Sequence, residues 1–314
     1  MKPDSVSVEE RPAGARPSQQ PEPRRQPRRL HFSAGLLAPA VVVMAILSVI
    51  PFITLIVMSF SRVRLLGGLR LEFAGLDNWA RALTDIDLWT SWLLTAIFFV
   101  ATVGLEMVLG IAIAFSLHKV IRGRSLLLSI ILLPMFVAPV IVGLLGRYLT
   151  DPTFGLYAHV LQNLGIKEDI LGNPTSAFIA VTLMDVWEWT PLVALIALAG
   201  FSSVNPSILE AAALDGAGQF KTLRHIVFPA ISNVLLVALL IRSMDAVRYF
   251  DIITITTNGG PANATKIVPL RLFETAFRFF DLGYAAAIGL MMLIVTILIA
   301  QVFVRMLDKK GLTK

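Results

Sequence analysis

Two groups of residues have the chemical types needed to hold a polar solute. Asp185 and Glu188 stand beside Trp187 and Trp189, and Arg242 and Asp245 are followed one turn later by Tyr249. At about 100° per residue, Asp185, Glu188, Trp189 and Leu192 share one face of a helix, and Arg242, Asp245 and Tyr249 share one face of another. Carboxylates and a guanidinium hydrogen-bond to hydroxyls, and aromatic faces stack on C–H surfaces, so two such stripes facing across a cavity would suit a carbohydrate. The same residues have a plainer use, in which Arg242 pairs with an acid on another helix and ties the bundle together. On residue types alone both uses stand.

Other chemistries are excluded more firmly. The chain has no Cys, which removes disulfides, thiol catalysis and cysteine-ligated metals. His31, His118, His159 and His225 stand singly, without partners at metal-ligand spacing. The His-Glu-x-x-His pattern of an intramembrane metalloprotease is missing. A phosphate-binding loop is missing too, because Phe220 stands directly before Lys221-Thr222 where that loop requires Gly. The expectation is a chain that is no enzyme, binds no metal and cannot hydrolyse ATP by itself.

The elements that must position these residues follow from hydropathy. Of 314 residues, 56% are hydrophobic and 15% charged, with a mean hydropathy of +0.76. A soluble domain carries about 25% charged residues, so the chain belongs in a bilayer. A spanning helix needs about 20 apolar residues, and six stretches qualify: Leu36–Phe60, Leu93–Phe115, Leu126–Leu145, Ala177–Leu198, Ala230–Tyr249 and Tyr284–Phe303. The fold class is all-α and polytopic. Pro134, Pro139 and Pro191 lie inside spans and predict kinked, packed helices. Ionisable side chains at that depth cost roughly 2.5–3.5 kcal/mol each on insertion scales, so the acids and Arg242 need partners. Isolated Glu106 reads as a packing or interhelical hydrogen-bonding residue.

Four segments follow: a disordered basic cytoplasmic tail over 1–33, a first span with its external loop over 34–88, a membrane domain over 89–305 and a short cytoplasmic tail over 306–314. The proline-rich stretch from Met1 to about Arg29 lacks aromatic residues and cannot bury itself. Lys and Arg are commoner in the segments that an inside N-terminus places inside, and the His118–Arg124 turn has three cations and no acid. Both termini are therefore expected in the cytoplasm of an inner membrane. The net charge of +6 fits anionic lipid rather than nucleic acid.

Between the fourth and fifth spans the chain reads from Asn205 through Glu210-Ala211-Ala212, Asp215-Gly216-Ala217 and Phe220 to Ile226 and Pro229. Asn205 can cap a helix that Pro206 opens, Gly216 permits a left-handed turn, and Phe220, Leu223 and Ile226 recur as on a second short helix that Pro229 stops. The pattern Glu-Ala-Ala, Gly after three intervening residues and Ile-x-x-Pro after nine more resembles the EAA loop of binding-protein-dependent ABC importer permeases. Asp215 and Ala217 match its carbohydrate-uptake branch. The likeness extends from about Trp89 to Phe303, through Trp187-x-x-x-Pro191, Ala199-Gly200, Thr257-Asn258-Gly259-Gly260-Pro261 and Gly283-Tyr284-Ala285-Ala286-Ala287.

That resemblance implies a type I importer fold, working with a second permease subunit, two ATP-binding subunits and an external or periplasmic solute-binding protein. It implies no cofactor in this chain, since ATP is bound by the partners. Glu210, Ala211, Ala212, Asp215, Gly216, Ala217, Phe220, Ile226 and Pro229 would form the coupling elbow. Solute contacts carried over by position fall on Glu188, Trp189, Leu192, Arg242, Asp245, Ala246 and Tyr249. The Thr257–Pro261 stretch would lie near the docking face for the binding protein. The substrate class implied is a sugar, with trehalose or another α-glucoside favoured by the run Arg242 to Asp251. Glycerol 3-phosphate or another small polyol is the alternative within the family, and an ATP-independent carrier the alternative outside it. The internal repeat that such a carrier might show is not seen.

Overall fold

Inside a bilayer every backbone amide needs a partner within the protein, so a chain of this hydropathy crosses as helices. In a computed structural model, residues 30–64, 68, 70–120, 122–165 and 169–309 are described; of the tail expected over 1–33, residues 1–29 lie outside them, and 30–33 are helical, where disorder was expected. Five helices among the described residues are long and apolar enough to cross a membrane, and a bent pair makes a sixth crossing when counted as one. The chain divides into two units, Met1–Pro51 and Phe52–Lys314. Of the first, every described residue belongs to helix α1 (Leu30–Ser59).

After α1 comes an antiparallel hairpin, β1 (Ser61–Arg64) with β2 (Arg70–Phe73), then α2 (Asp77–Thr84). The second span is α3 (Ile86–His118) and the third is the pair α4 (Arg124–Leu132) and α5 (Pro139–Leu149). A short α6 (Leu156–Asn163) precedes the fourth span, α7 (Pro174–Ser202). The elbow follows as α8 (Pro206–Leu214) and α9 (Gln219–Thr222), leading into the fifth span, α10 (Phe228–Ala246). Then come α11 (Asp251–Thr256), α12 (Val268–Phe277) and the last span, α13 (Leu282–Lys309).

One feature exceeds the kink expected at the prolines and one departs from the sequence expectation, and proline is involved in both. The third span is not one rod, because α4 ends in a 3-10 turn and α5 leaves at 90°. Pro139 clashes with an α conformation at the residue before it, so Ala138 is extended (ψ 137°) and Pro139 opens a new helix. The expected stop at Pro229 does not occur. Leu223–Val227 form a π turn with helical residues on both sides, and the chain runs from α9 into α10 unbroken. The wider turn leaves one fewer i→i−4 bond to make, and it is where the missing proline N–H falls.

With no water to expel, helices in a membrane associate through close van der Waals contact at small residues. A Cβ on Gly110 of α3 would come within 2.7 Å of Val193 and 3.0 Å of the Ala194 backbone nitrogen on α7. Gly146 of α5 makes the same kind of room for Met184, which a Cβ would meet at 2.4 Å. Beside Asp85, the N-cap of α3, the Tyr284 hydroxyl donates at 2.6 Å and Arg81 bonds Asp281 at 2.6 Å, joining α2, α3 and α13. Burial works against the Asp85 carboxylate, but the Tyr284 hydroxyl, the Leu88 N–H and the charge of Arg271 hold it below the usual carboxylate range. Along α3, one apolar cluster is met at Phe98 and another at Ala114, with Glu106 between them.

Candidate functional site

Three spans deliver the charged residues to one place. Glu106 comes from α3, Asp185 and Glu188 from α7, and Arg242 and Asp245 from α10, while Tyr249 lies just beyond it. Arg242 is 0% exposed. Its Nε donates to one Glu106 oxygen at 2.6 Å and its Nη2 to the other at 2.6 Å. Nη2 also donates to Asp185 at 3.0 Å, and Nη1 to Asp245 at 3.0 Å. Four of the five guanidinium N–H groups are thus engaged by three carboxylates. Beside this knot the Tyr249 hydroxyl donates to Glu188 at 2.5 Å. Trp189 stands edge-on to Tyr249 at 6.4 Å, and its ring lies 5.0 Å from the Arg242 guanidinium.

The two stripes read from the sequence therefore meet, but in direct contact rather than across a cavity. Glu188, Arg242, Ala246 and Tyr249 are buried, Trp189 and Leu192 are half-buried, and the Asp245 side chain keeps 37% of its surface accessible. The interhelical salt bridge weighed as the plainer use of Arg242 is present. Trp187 points elsewhere, lining a largely apolar cavity of about 750 Å³ with Val142, Gly146, Tyr157 and Met184. Glu106, read from the sequence as a packing or interhelical hydrogen-bonding residue, makes that interhelical bond, and its partner is Arg242. The sequence signal was only that an acid at membrane depth needs a partner, and Arg242 is the one Lys or Arg deep within any span.

The elbow is built as its residues dictate. Asn205 accepts from the Ser207 N–H at 3.1 Å, capping α8, and Pro206 occupies its first turn. Gly216 adopts φ +73°, and the Ala217 N–H returns to Ala212 at 2.9 Å, closing the turn. Ala212 is buried, Ala217 and Ile226 are half-buried, and Glu210, Ala211, Asp215 and Pro229 are exposed. Leu214 is 90% and Phe220 74% exposed, although both are large and apolar. A crevice of about 350 Å³ separates the elbow from the ends of α3 and α7, lined by Phe115, Phe201, Leu209, Ala213 and Leu223.

The loop after α11 is tied down from several directions. Thr257 and Thr265 hydroxyls meet at 2.7 Å, Thr265 donates to the Gly260 carbonyl at 2.9 Å, and Arg278 donates to Asn258 at 2.7 Å. No group of three or more metal-binding side chains is found among the described residues.

Residues 66–311 match the family described as the binding-protein-dependent transport system inner membrane component. The chain belongs to this family. It is therefore a multi-pass inner-membrane permease of the kind that works with a solute-binding protein. Members have no cofactor of their own, ATP being used by partner subunits. The permease is 35% identical over 234 residues to the trehalose/maltose transport system permease protein MalF of Thermococcus litoralis, covering 74% of this chain and 79% of that one. It is 31% identical over 301 residues to the trehalose transport system permease protein SugA of Mycobacterium tuberculosis, covering 96% and 95% of the two. A bacterial ABC transporter involved in import of the acidic polysaccharide alginate superposes with a TM-score of 0.79 at 20% identity, over 91% of this chain and 97% of that one. The permease thus has the type I importer fold.

Proposed function

We propose that the permease is one of two membrane subunits of an ATP-driven importer that passes a sugar, of the trehalose type, from an external binding protein to the cytoplasm. The observation that carries the coupling is the elbow. A capped helix closed by a left-handed glycine turns Leu214 and Phe220 outward, and large apolar side chains exposed on a polar segment mark a surface that another protein covers. In this reading Glu210 to Pro229 dock on one of two ATP-binding subunits. The elbow and both termini lie in the cytoplasm, and the Thr257–Pro261 loop faces the binding protein.

The sugar is supported by the trehalose and maltose in the names of the two relatives and by the composition of the buried knot. Asp245, Trp189 and Leu192 are the reachable members, while Arg242, Glu188, Ala246 and Tyr249 come into reach when the helices part. Trp189 Nε1 and Asp185 Oδ1 have no protein partner, and such groups are what a solute hydroxyl satisfies. An anion such as glycerol 3-phosphate fits less well, because three carboxylates already meet the Arg242 charge.

The cysteine-free chain is a ready background for the test. Single cysteines at Ala213 and Gly218, in native membranes containing the whole transporter, should crosslink to an ATP-hydrolysing subunit. Uptake of labelled trehalose should require ATP. Absence of every such crosslink would remove the coupling role, and ATP-independent uptake would make the protein a carrier.

A further inference from the structure

We propose that Glu106 is a positioning residue for solute recognition, clamping Arg242 so that Arg242 presents the Asp245 carboxylate to the solute. The inference deepens the reading given above and rests on Asp245 being a solute contact. Glu106 belongs to α3, which contributes no other residue to the knot of contacts, and it is 0% exposed. Both of its oxygens accept from one guanidinium edge, Nε and Nη2, each at 2.6 Å. A two-point bond of this kind fixes the plane of a guanidinium as well as its position.

With the plane fixed, the remaining edge points Nη1 at Asp245, 3.0 Å away. Asp245 has one other cation nearby, Arg248 at 3.9 Å, which is 64% exposed and, as a solvated partner, holds it weakly. The Arg242 bond is therefore what orients the accessible carboxylate. Without Glu106 the guanidinium would keep one bond to Asp185 through Nη2 and one to Asp245 through Nη1, neither of which grips two nitrogens of one edge. A brace that only balances charge needs an opposite charge nearby; the two-point clamp adds orientation.

The test uses proteoliposomes holding the complete transporter, supplied with trehalose-loaded binding protein, and reads trehalose imported per ATP hydrolysed. Glu106→Gln and Asp245→Asn should each lower that ratio by about 10- to 100-fold, the upper figure being what a misplacement of about 1 Å can cost. The amount of assembled complex is measured for each variant alongside, and the ratio is taken per assembled complex. The double variant should be no worse than Asp245→Asn alone. Glu106→Asp keeps the charge but is one methylene too short to hold both nitrogens, and it should show the same loss of ratio in a protein that folds with its ion pair intact. Additive losses in the double variant, or a Glu106 defect confined to assembly and ATP hydrolysis, would overturn the positioning role. An unchanged ratio in Asp245→Asn would instead overturn the reading of Asp245 as a contact.

Discussion

Arg242 shows how much of a buried site can hang on a single side chain. Its guanidinium is 0% exposed and bonded to Glu106, Asp185 and Asp245. Breaking a buried ion pair by removing one partner costs about 3–5 kcal/mol, because the remaining charge stays buried and unmet. Arg242→Ala strands two carboxylates that are both fully buried, Glu106 and Asp185. We expect that variant to lose thermal stability in detergent and to accumulate poorly in membranes. Asp245→Asn, whose side chain is partly accessible, should assemble normally and fail in transport. Loss of transport with full stability in Arg242→Ala would make Arg242 a contact rather than a brace. From the sequence, the types of these residues and their shared faces were readable, because helical periodicity is local. The pairing of Glu106 with Arg242 was not, since the two stand 136 positions apart and nothing in either neighbourhood specifies which helices touch.

The elements themselves were drawn mostly by local chemistry. The capped start of α8 at Asn205 and the turn at Gly216 were legible because capping and a positive φ depend on a few neighbouring residues. The path around Pro139 and Pro229 was legible only as a disturbance. One proline broke a span by 90° and the other was absorbed in a π turn, and which of these happens depends on what packs alongside. Helix packing gives a sharper test. A side chain at Gly110 would collide with Val193 and the α7 backbone, whereas at Gly104 nothing lies within 4 Å of an added Cβ. Overpacking a tight contact typically costs about 1–3 kcal/mol, so Gly110→Leu should lower the unfolding temperature in detergent. Gly104→Ala on the same helix should not. Equal effects of the two would mean that the α3–α7 contact does not govern stability.

The whole molecule is a part that functions in company. Its apolar helices suit a bilayer, and its elbow ends in exposed Leu214 and Phe220. No phosphate-binding loop occurs in the 314 residues. Purified alone, the permease should show no ATP hydrolysis, and solute-stimulated hydrolysis should appear only on reconstitution with ATP-binding and permease partners. Activity from the isolated chain, at a rate that survives removal of trace contaminants, would contradict this.

Hydropathy, capping residues and proline positions, all acting over one or two helical turns, were enough to set the class of protein, the approximate bounds of the long helices and the capped first half of the elbow. They act through local backbone energetics and transfer into lipid, which depend little on distant residues. Tertiary structure decided that Glu106 faces Arg242, that the two polar stripes close on each other, and that Asp245 is the carboxylate left within reach. Those outcomes depend on the rotation and spacing of helices set by contacts such as Gly110 on Val193. A one-dimensional pattern records which face of a helix is polar and leaves open what that face meets.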